Sequence, residues 1–348
     1  MTILLLEHSF EWFGKHAGLG LLREHLLRNG CPVESIYPMP GAFHRMIGKA
    51  YSTALRLPAR NQTTAAAEMR FALKLRMLRY AGHVLNIEYY LPLAGVLKGN
   101  GNWVATLHQP RRWWTPEMLD QLREVPRLIV LSENFISEFS DVLPRSRMTL
   151  LPHGVNAEFF RPNEEMRCRH HKHLLYVGTW LRNSQMFSRL VPRIAERFPD
   201  VVFDLVVPGP ARTDPALTAL LHHPAVRWHQ NLSDDELRNL YQKATGMLMP
   251  MEDSGANNAI VEALASGLPI LTTDAGGIRS YGGGTIFPLV ANNDDEALLE
   301  MASDFLADTS LRESTGAAAR RFAVEHLDWT VAARKYMETY RTLGFMAR

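Results

Sequence analysis

Short apolar runs alternate with stretches of helical periodicity along the whole chain, and few architectures satisfy that alternation. Strands that are apolar on both faces must be covered on both faces, so parallel sheets flanked by crossover helices are expected. In the first half the runs are Thr2–Leu6, Val33–Tyr37, Val84–Ile87, Trp103–Leu107, Arg127–Leu131 and Met148–Leu151. A helix near Leu19–Arg28 follows the first run and is expected to stop at Gly30. Residues 152–172 are polar, basic and without periodicity, and read as the passage between two domains. The alternation restarts with His173–Val177, Val201–Val207, Gly246–Pro250 and Pro269–Thr273. Between these runs Phe187, Leu190, Val191, Ile194 and Phe198 recur at helical spacing, and Ser233 with Glu236 forms a capping-box pattern that opens a helix to Ala244. Asn257–Ser266 reads as a helix ended by Gly267 and Pro269, and Trp329, Ala332, Ala333, Tyr336, Met337 and Tyr340 line one face of a terminal helix. The expected organisation is one Rossmann-like α/β domain over residues 1–155, a linker over 156–172, a second domain over 173–327 and a terminal helix over 328–348. Open α/β sheets bind ligands beyond the carboxyl ends of their strands, so two such domains facing each other would hold a ligand in the cleft between them.

The chain is long enough to bury two cores, with 348 residues of which 46% are hydrophobic and 21% charged. Its two cysteines, Cys31 and Cys168, are far apart and suggest reduced thiols rather than a disulfide framework or a metal site. The opening Thr2–Leu6 meets Glu7 and His8 with no charged start and no cleavage pattern, so it predicts a buried strand rather than a signal peptide. No apolar run approaches the ~20 residues of a membrane span. The net charge of +2 hides an asymmetry: residues 41–80 carry eight Lys/Arg and one acid, Glu68, a local excess of +7. Such an excess suits phosphates or an anionic lipid surface, and it equally suits a solvated helical face.

The stretch Met249–Tyr281 carries the most chemistry. A strand ends at Pro250, the small-residue turn Ser254-Gly255-Ala256 follows, and a helix starts near Asn257. The first turn of a helix has unpaired N–H groups and the positive end of the dipole, which together suit a phosphate. Gly255 would let the backbone approach such a ligand closely. Glu262 lies about 7.5 Å along the helix at ~1.5 Å per residue, an offset that suits ribose hydroxyls attached to a diphosphate at the helix start. A capped structural helix with an exposed glutamate is the competing reading of the same residues.

That stretch resembles the signature of the family-four retaining glycosyltransferases of GT-B fold. The pattern is an acid, Gly, small or polar residues, Glu-Ala-x-Ala-x-Gly-x-Pro, and later Gly-Gly, and it stands here as Asp253, Gly255, Glu262 to Pro269, and Gly276-Gly277. The resemblance implies two Rossmann-like domains facing each other across a cleft. It assigns the acceptor to residues 1–155, the donor to 173–327, and a return of the terminal helix to the first domain. By the same resemblance Glu262 holds the ribose, and Asn257 and Asn258 offer backbone amides to the diphosphate. The family's first glutamate is replaced by Ser254, with Glu252 and Asp253 just upstream, so the donor-sugar contact passes to Ser254 and Asp253. VATLHQP over 104–110 resembles the strand end whose histidine lies beside the transferred sugar, which gives His108 that role. The segments over 127–162 and 174–183 resemble the family's exit from the first domain and entry into the second. Thr179 stands where members often carry an arginine, so Arg182 takes the diphosphate role. Gly14, Gly18 and Gly20 represent the family's N-terminal glycine loop, with Gly18 and Gly20 expected at the acceptor side of the cleft, although Arg23 breaks the GxGxxG spacing.

The resemblance implies a glycosyltransferase of the EC 2.4 class that moves a sugar from a nucleoside-diphosphate sugar, its donor substrate, to a glycan, lipid or small-molecule acceptor, with retention. Two other functions share the motifs: a catalytically inactive sugar-nucleotide binding protein, and a GT-B sugar-nucleotide epimerase. Neither an Asp-x-Asp motif nor a spaced ligand set is present, so no cofactor and no metal are expected; His170, His171 and His173, like His222-His223, read as polar loops. Trp113-Trp114 suits either an acceptor cleft or loop packing. The expected partners are the nucleotide sugar, a carbohydrate or lipid-linked acceptor and an anionic membrane touched peripherally, with no nucleic acid. The expected place is the cytoplasm, at the inner membrane face where the basic stretch makes contact.

Overall fold

The computed structural model describes residues 1–8, 16–57, 60–77, 80–163, 165–166 and 172–346. Gly14, Cys168, His170 and His171, named above, lie outside the described residues. The chain divides into two units: Met1–Phe13, Leu19–Pro152 and Ala332–Arg348 form the first, and Gly14–Gly18 with His153–Val331 form the second.

The first unit is built on six parallel strands, β1 (Thr2–Leu6), β2 (Val33–Ile36), β3 (Tyr80–Val84), β4 (Trp103–Leu107), β5 (Leu128–Val130) and β6 (Met148–Leu150), in the order β2-β1-β3-β4-β5-β6. The second is built on β7 (Lys172–Val177), β8 (Val201–Val206), β9 (Val226–His229), β10 (Gly246–Leu248), β11 (Ile270–Thr273) and β12 (Leu289–Val290), also parallel, in the order β9-β8-β7-β10-β11-β12. The two orders are those of the flavodoxin-like and the Rossmann sheets, respectively. In the second unit Leu174, Leu175, Phe203, Leu205, Met247, Leu248, Ile270 and Leu271 are buried together, as continuous apolar strands require.

The helices follow from local sequence. α1 (Leu22–Arg28) ends before Gly30, whose φ of 75° no other residue type would adopt cheaply. α2 (Ala42–Ala54) and α3 (Gln62–Leu75) pack on each other at Gly48, where an added Cβ would collide with the Gln62 carbonyl. The short α4 (Ile87–Tyr90) starts directly after β3, capped by Asn86, whose Oδ1 accepts the Glu88 N–H at 3.2 Å. The capping box is present as expected, with the Ser233 hydroxyl accepting the Glu236 N–H at 3.3 Å and Glu236 accepting the Ser233 N–H at 2.8 Å.

One strand is displaced from its expected place. The run Val84–Ile87 is not the third strand; β3 is Tyr80–Val84, and Ile87 already belongs to α4. The cause is His83, a polar residue inside the strand and wholly buried. Its Nδ1 meets the Tyr340 hydroxyl at 2.7 Å and its Nε2 meets the Thr106 hydroxyl at 2.7 Å. Burial pushes the imidazole down to about 3, so it is neutral, and both ring nitrogens are satisfied. Tyr340 belongs to the terminal helix Trp329–Thr342, whose residues from Ala332 onward are part of the first unit.

Candidate functional site

In the second sheet the strand order reverses between β7 and β10, and the loops leaving their carboxyl ends flank the crevice where such sheets bind ligands. These two loops are stitched together by their backbones. Asn183 N–H donates to the Pro250 carbonyl at 2.8 Å and Glu252 N–H donates to the Leu181 carbonyl at 3.0 Å. The β7 loop turns at Gly178, with φ of 76°, and at Leu181, with φ of 62°. That turn folds Arg182 back over Gly178: Nε donates to Val177 O at 3.0 Å, Nη1 to Trp180 O at 2.9 Å and Nη2 to the side-chain oxygen of Asn257 at 3.1 Å. The guanidinium is thus fixed in direction, and its third anchor is the N-cap residue of the next helix.

That helix, α5 (Asn258–Ala265), is buried from Ala259 to Ala265. Asn257 caps it in backbone conformation only; its side chain makes no capping hydrogen bond and engages Arg182 instead. Asn258 is held by His153, Nδ1 to Oδ1 at 3.0 Å, and burial pushes His153 down to about 4, so the ring is neutral. His153 N–H in turn donates to the Tyr281 hydroxyl at 3.2 Å. Gly18 is pressed against the same Asn258: a Cβ there would lie 2.9 Å from Oδ1, and φ is 69°. Gly18 therefore packs against the start of α5 and is counted with the second unit, whereas Gly20 lies in an exposed turn and is counted with the first.

Glu262 sits a little more than one turn along α5, 5% exposed, on a helix that is otherwise apolar. One carboxylate oxygen accepts the Tyr241 hydroxyl at 2.8 Å. Burial pushes the carboxyl up to about 8, against the opposing pull of that hydrogen bond and of Arg182. An ionisable group is costly there, which argues against the simple exposed glutamate considered above.

The turn that precedes α5 is pinned from above. Gly276, with φ of 52°, lies so close to Asp253 and Ser254 that any Cβ would collide with both, and Gly277 N–H donates to the Ser254 carbonyl. This close approach explains the glycine at 276. Ser254 is 1% exposed, and among the described residues its hydroxyl has no hydrogen-bond partner. Asp253 accepts the Ser254 N–H at 2.7 Å and is half-buried. Gly255 is buried in the same turn.

In the first unit His108 follows β4 directly, with its side chain 20% exposed. Trp114 is buried and donates its indole N–H to Gln109 O at 3.2 Å, whereas Trp113 is exposed. The pair thus divides into one packing residue and one surface residue. His173, one of the clustered histidines, meets Asp204 at 3.0 Å, and His229 meets the other oxygen of the same carboxylate at 2.8 Å. Among the described residues no group of three or more His, Cys, Asp or Glu is arranged to hold a metal. Among them, too, no helix is long and apolar enough to cross a membrane. Reading the sequence passed over Tyr241, His153 and Glu88, because each acts only through a residue distant in the chain.

Residues 171–308 match the family model described as glycosyl transferases group 1. The sulfoquinovosyl transferase of Arabidopsis thaliana is 27% identical over 202 residues, 55% of this chain and 39% of that protein. The chain spans less than two thirds of the length of that protein and of the D-inositol 3-phosphate glycosyltransferase and mannosyltransferase that it also matches. Among solved structures, the sucrose-phosphate synthase of Thermosynechococcus elongatus superposes with a TM-score of 0.79 at 17% identity, covering 99% of both chains. The Anabaena HepE protein, solved in complex with UDP-glucose, superposes with a TM-score of 0.72 at 15% identity over 98% of this chain and 100% of that one. Two parallel α/β sheets and the likeness to these solved structures lead to one conclusion: the chain has the GT-B fold, and over residues 171–308 it is similar to the group 1 glycosyl transferases.

Proposed function

We propose that the protein transfers a sugar from a nucleoside-diphosphate sugar to a carbohydrate or lipid-linked acceptor, with retention at the anomeric carbon. The observation that carries this is the convergence of Arg182 and Asn257 at the start of α5, with Glu262 farther along the same helix. The anomeric carbon–phosphate oxygen bond breaks, the acceptor oxygen bonds to the same face of the sugar, and the acceptor proton leaves with the diphosphate. The charge developing on that leaving group would be met by the helix N-terminus and by a guanidinium already fixed in place, so little reorganisation is needed. Glu262 would accept the ribose hydroxyls, and Asp253 and Ser254 would face the donor sugar. His108 would lie beside the transferred sugar. With the diphosphate carried by these groups rather than by a chelated metal, EDTA should leave turnover unchanged.

The test is nucleotide release from a panel of UDP-, GDP- and ADP-sugars, with and without cell-extract acceptors, followed by NMR of the glycoside. Release that depends on acceptor, with the donor's anomeric configuration kept, is expected. An inverted product would overturn the retaining assignment, acceptor-independent release of free nucleotide would favour the epimerase, and binding without release would favour an inactive sugar-nucleotide binder. The relatives' activities as glycosyltransferases and the UDP-glucose in the Anabaena structure support the reading.

We also propose that the basic stretch 41–80 rests against an anionic membrane. On α2, Phe43, Met46, Ile47, Ala50 and Ala54 fall on one side at 100° per residue, away from the Gly48 side that packs on α3. Phe43 and Met46 are 63% and 61% exposed, so the apolar stripe of this amphipathic helix faces solvent. Lys49, Arg56 and Arg60 line an adjoining pocket of about 400 Å³. A second copy of the chain is disfavoured as the occupant, because a symmetric contact would oppose two regions of +7. Sedimentation with vesicles of mixed anionic and neutral lipid should show binding that weakens as salt screens charge over about 8 Å, and that Phe43→Ser with Met46→Ser abolishes. Absence of binding at low salt, or equal binding by the double variant, would return the stripe to a solvated face.

A further inference from the structure

We propose that Glu88 is the positioning residue of His108, holding its backbone with one carboxylate oxygen and facing its imidazole with the other. This rests on the reading of His108 as the group beside the transferred sugar.

The fold delivers the two residues to one place. β3 and β4 are neighbours, so the residue that opens α4 after β3 and the residue that follows β4 lie at the same edge of the sheet, although they are 20 residues apart. Asn86 caps α4 and turns the Glu88 carboxyl inward, where it is 3% exposed. Oε1 accepts two N–H groups, His108 at 2.5 Å and Gln109 at 2.6 Å, so it fixes the turn that carries the histidine. Oε2 lies 3.9 Å from His108 Nδ1 and, among the described residues, accepts no hydrogen bond. That separation is too long for a hydrogen bond and short enough to become one by a small rotation of the ring.

Two N–H donors do not by themselves call for a carboxylate, since the oxygen of a neutral amide accepts both. The charge-bearing group is also expensive in this setting: burial pushes it up to about 7 despite the backbone donors. What the ionised carboxylate adds is a second oxygen that only accepts. Facing Nδ1, it favours the tautomer with the proton on Nδ1 and the lone pair on Nε2. Glutamine would keep the turn but present an NH₂ donor to Nδ1 and favour the opposite tautomer.

Glu88→Gln therefore separates the two roles. The tautomer of His108 is read from ¹⁵N shifts of the wild type and of Glu88→Gln without any ligand, and turnover is read as nucleotide release from whichever sugar nucleotide of the panel is used. We expect the tautomer to reverse in Glu88→Gln and kcat to fall roughly 10- to 100-fold, the scale found for losing the outer-shell partner of a metal-bound histidine, with KM for the donor unchanged. Glu88→Gln should cause no further loss in a His108→Ala background. Unchanged tautomer and kcat in Glu88→Gln would reduce Glu88 to a holder of the turn and overturn the proposal, while a loss in His108→Ala alone would leave the function standing. Full turnover in His108→Ala would instead overturn the reading of His108 itself, and the role of Glu88 with it.

Discussion

His108→Ala is expected to lower turnover by at least 10²-fold, a loss of roughly 2.7 kcal/mol of transition-state stabilisation, while nucleotide affinity barely changes. The separation of the two effects follows from where the residues lie. His108 leaves β4 of the first unit, whereas Arg182, Asn257 and Glu262 all belong to the second. The side chain is partly exposed and its backbone is anchored by Glu88, so truncation should remove a contact made at the reacting sugar without disturbing the sheet. Steady-state kinetics paired with calorimetry of nucleoside diphosphate binding measures both quantities. Turnover equal to wild type would make His108 an ordinary strand-end residue.

Glu262→Ala should weaken nucleoside diphosphate binding about 10- to 100-fold. Two charge-assisted hydrogen bonds to ribose are worth roughly 1.5–3 kcal/mol each, and water replaces part of them. The fold should survive, because alanine is a good helix former and the change removes an ionisable group from an apolar helix. A 2′-deoxy nucleotide should bind the wild type worse than the ribo form and the variant no worse. If the variant keeps the same preference for ribose, Glu262 does not touch the sugar and the donor assignment must move. The buried carboxyl also sets a pH signature. Its value is about 8 in the folded chain against 4.5 in an unfolded one, so the folded state binds the proton more tightly. The stability this contributes is complete below about 4.5 and is lost as pH rises toward about 8. Glu262→Gln should remove that slope from a series of thermal melts, and Tyr241→Phe, which deletes the hydroxyl that now stabilises the anion, should extend it to higher pH.

The sequence by itself determined the parts of the fold that depend on neighbours along the chain. Apolar strands, the Ser233–Glu236 capping box, the left-handed stop at Gly30 and the strand–turn–helix that leads into α5 are each fixed by residues within a few positions, and each stands in the structure. The motif around α5 was legible for the same reason, since a turn, a helix start and a carboxylate one turn later are all local. Tertiary structure alone decided what needed a distant partner. β3 runs through His83, a polar residue that the apolar run starting at Val84 leaves out, because Tyr340 and Thr106 satisfy both ring nitrogens from 257 and 23 residues away. α2 has a helical apolar period, but only the packing at Gly48 shows that this stripe is turned away from the core. Glu88 is one acid among many in the sequence, and it acquires a role only because parallel pairing of β3 with β4 brings it to the His108 turn. Periodicity and capping report free energies that are paid locally; satisfaction of a buried polar group depends on which strands become neighbours, and no window along the chain contains that information.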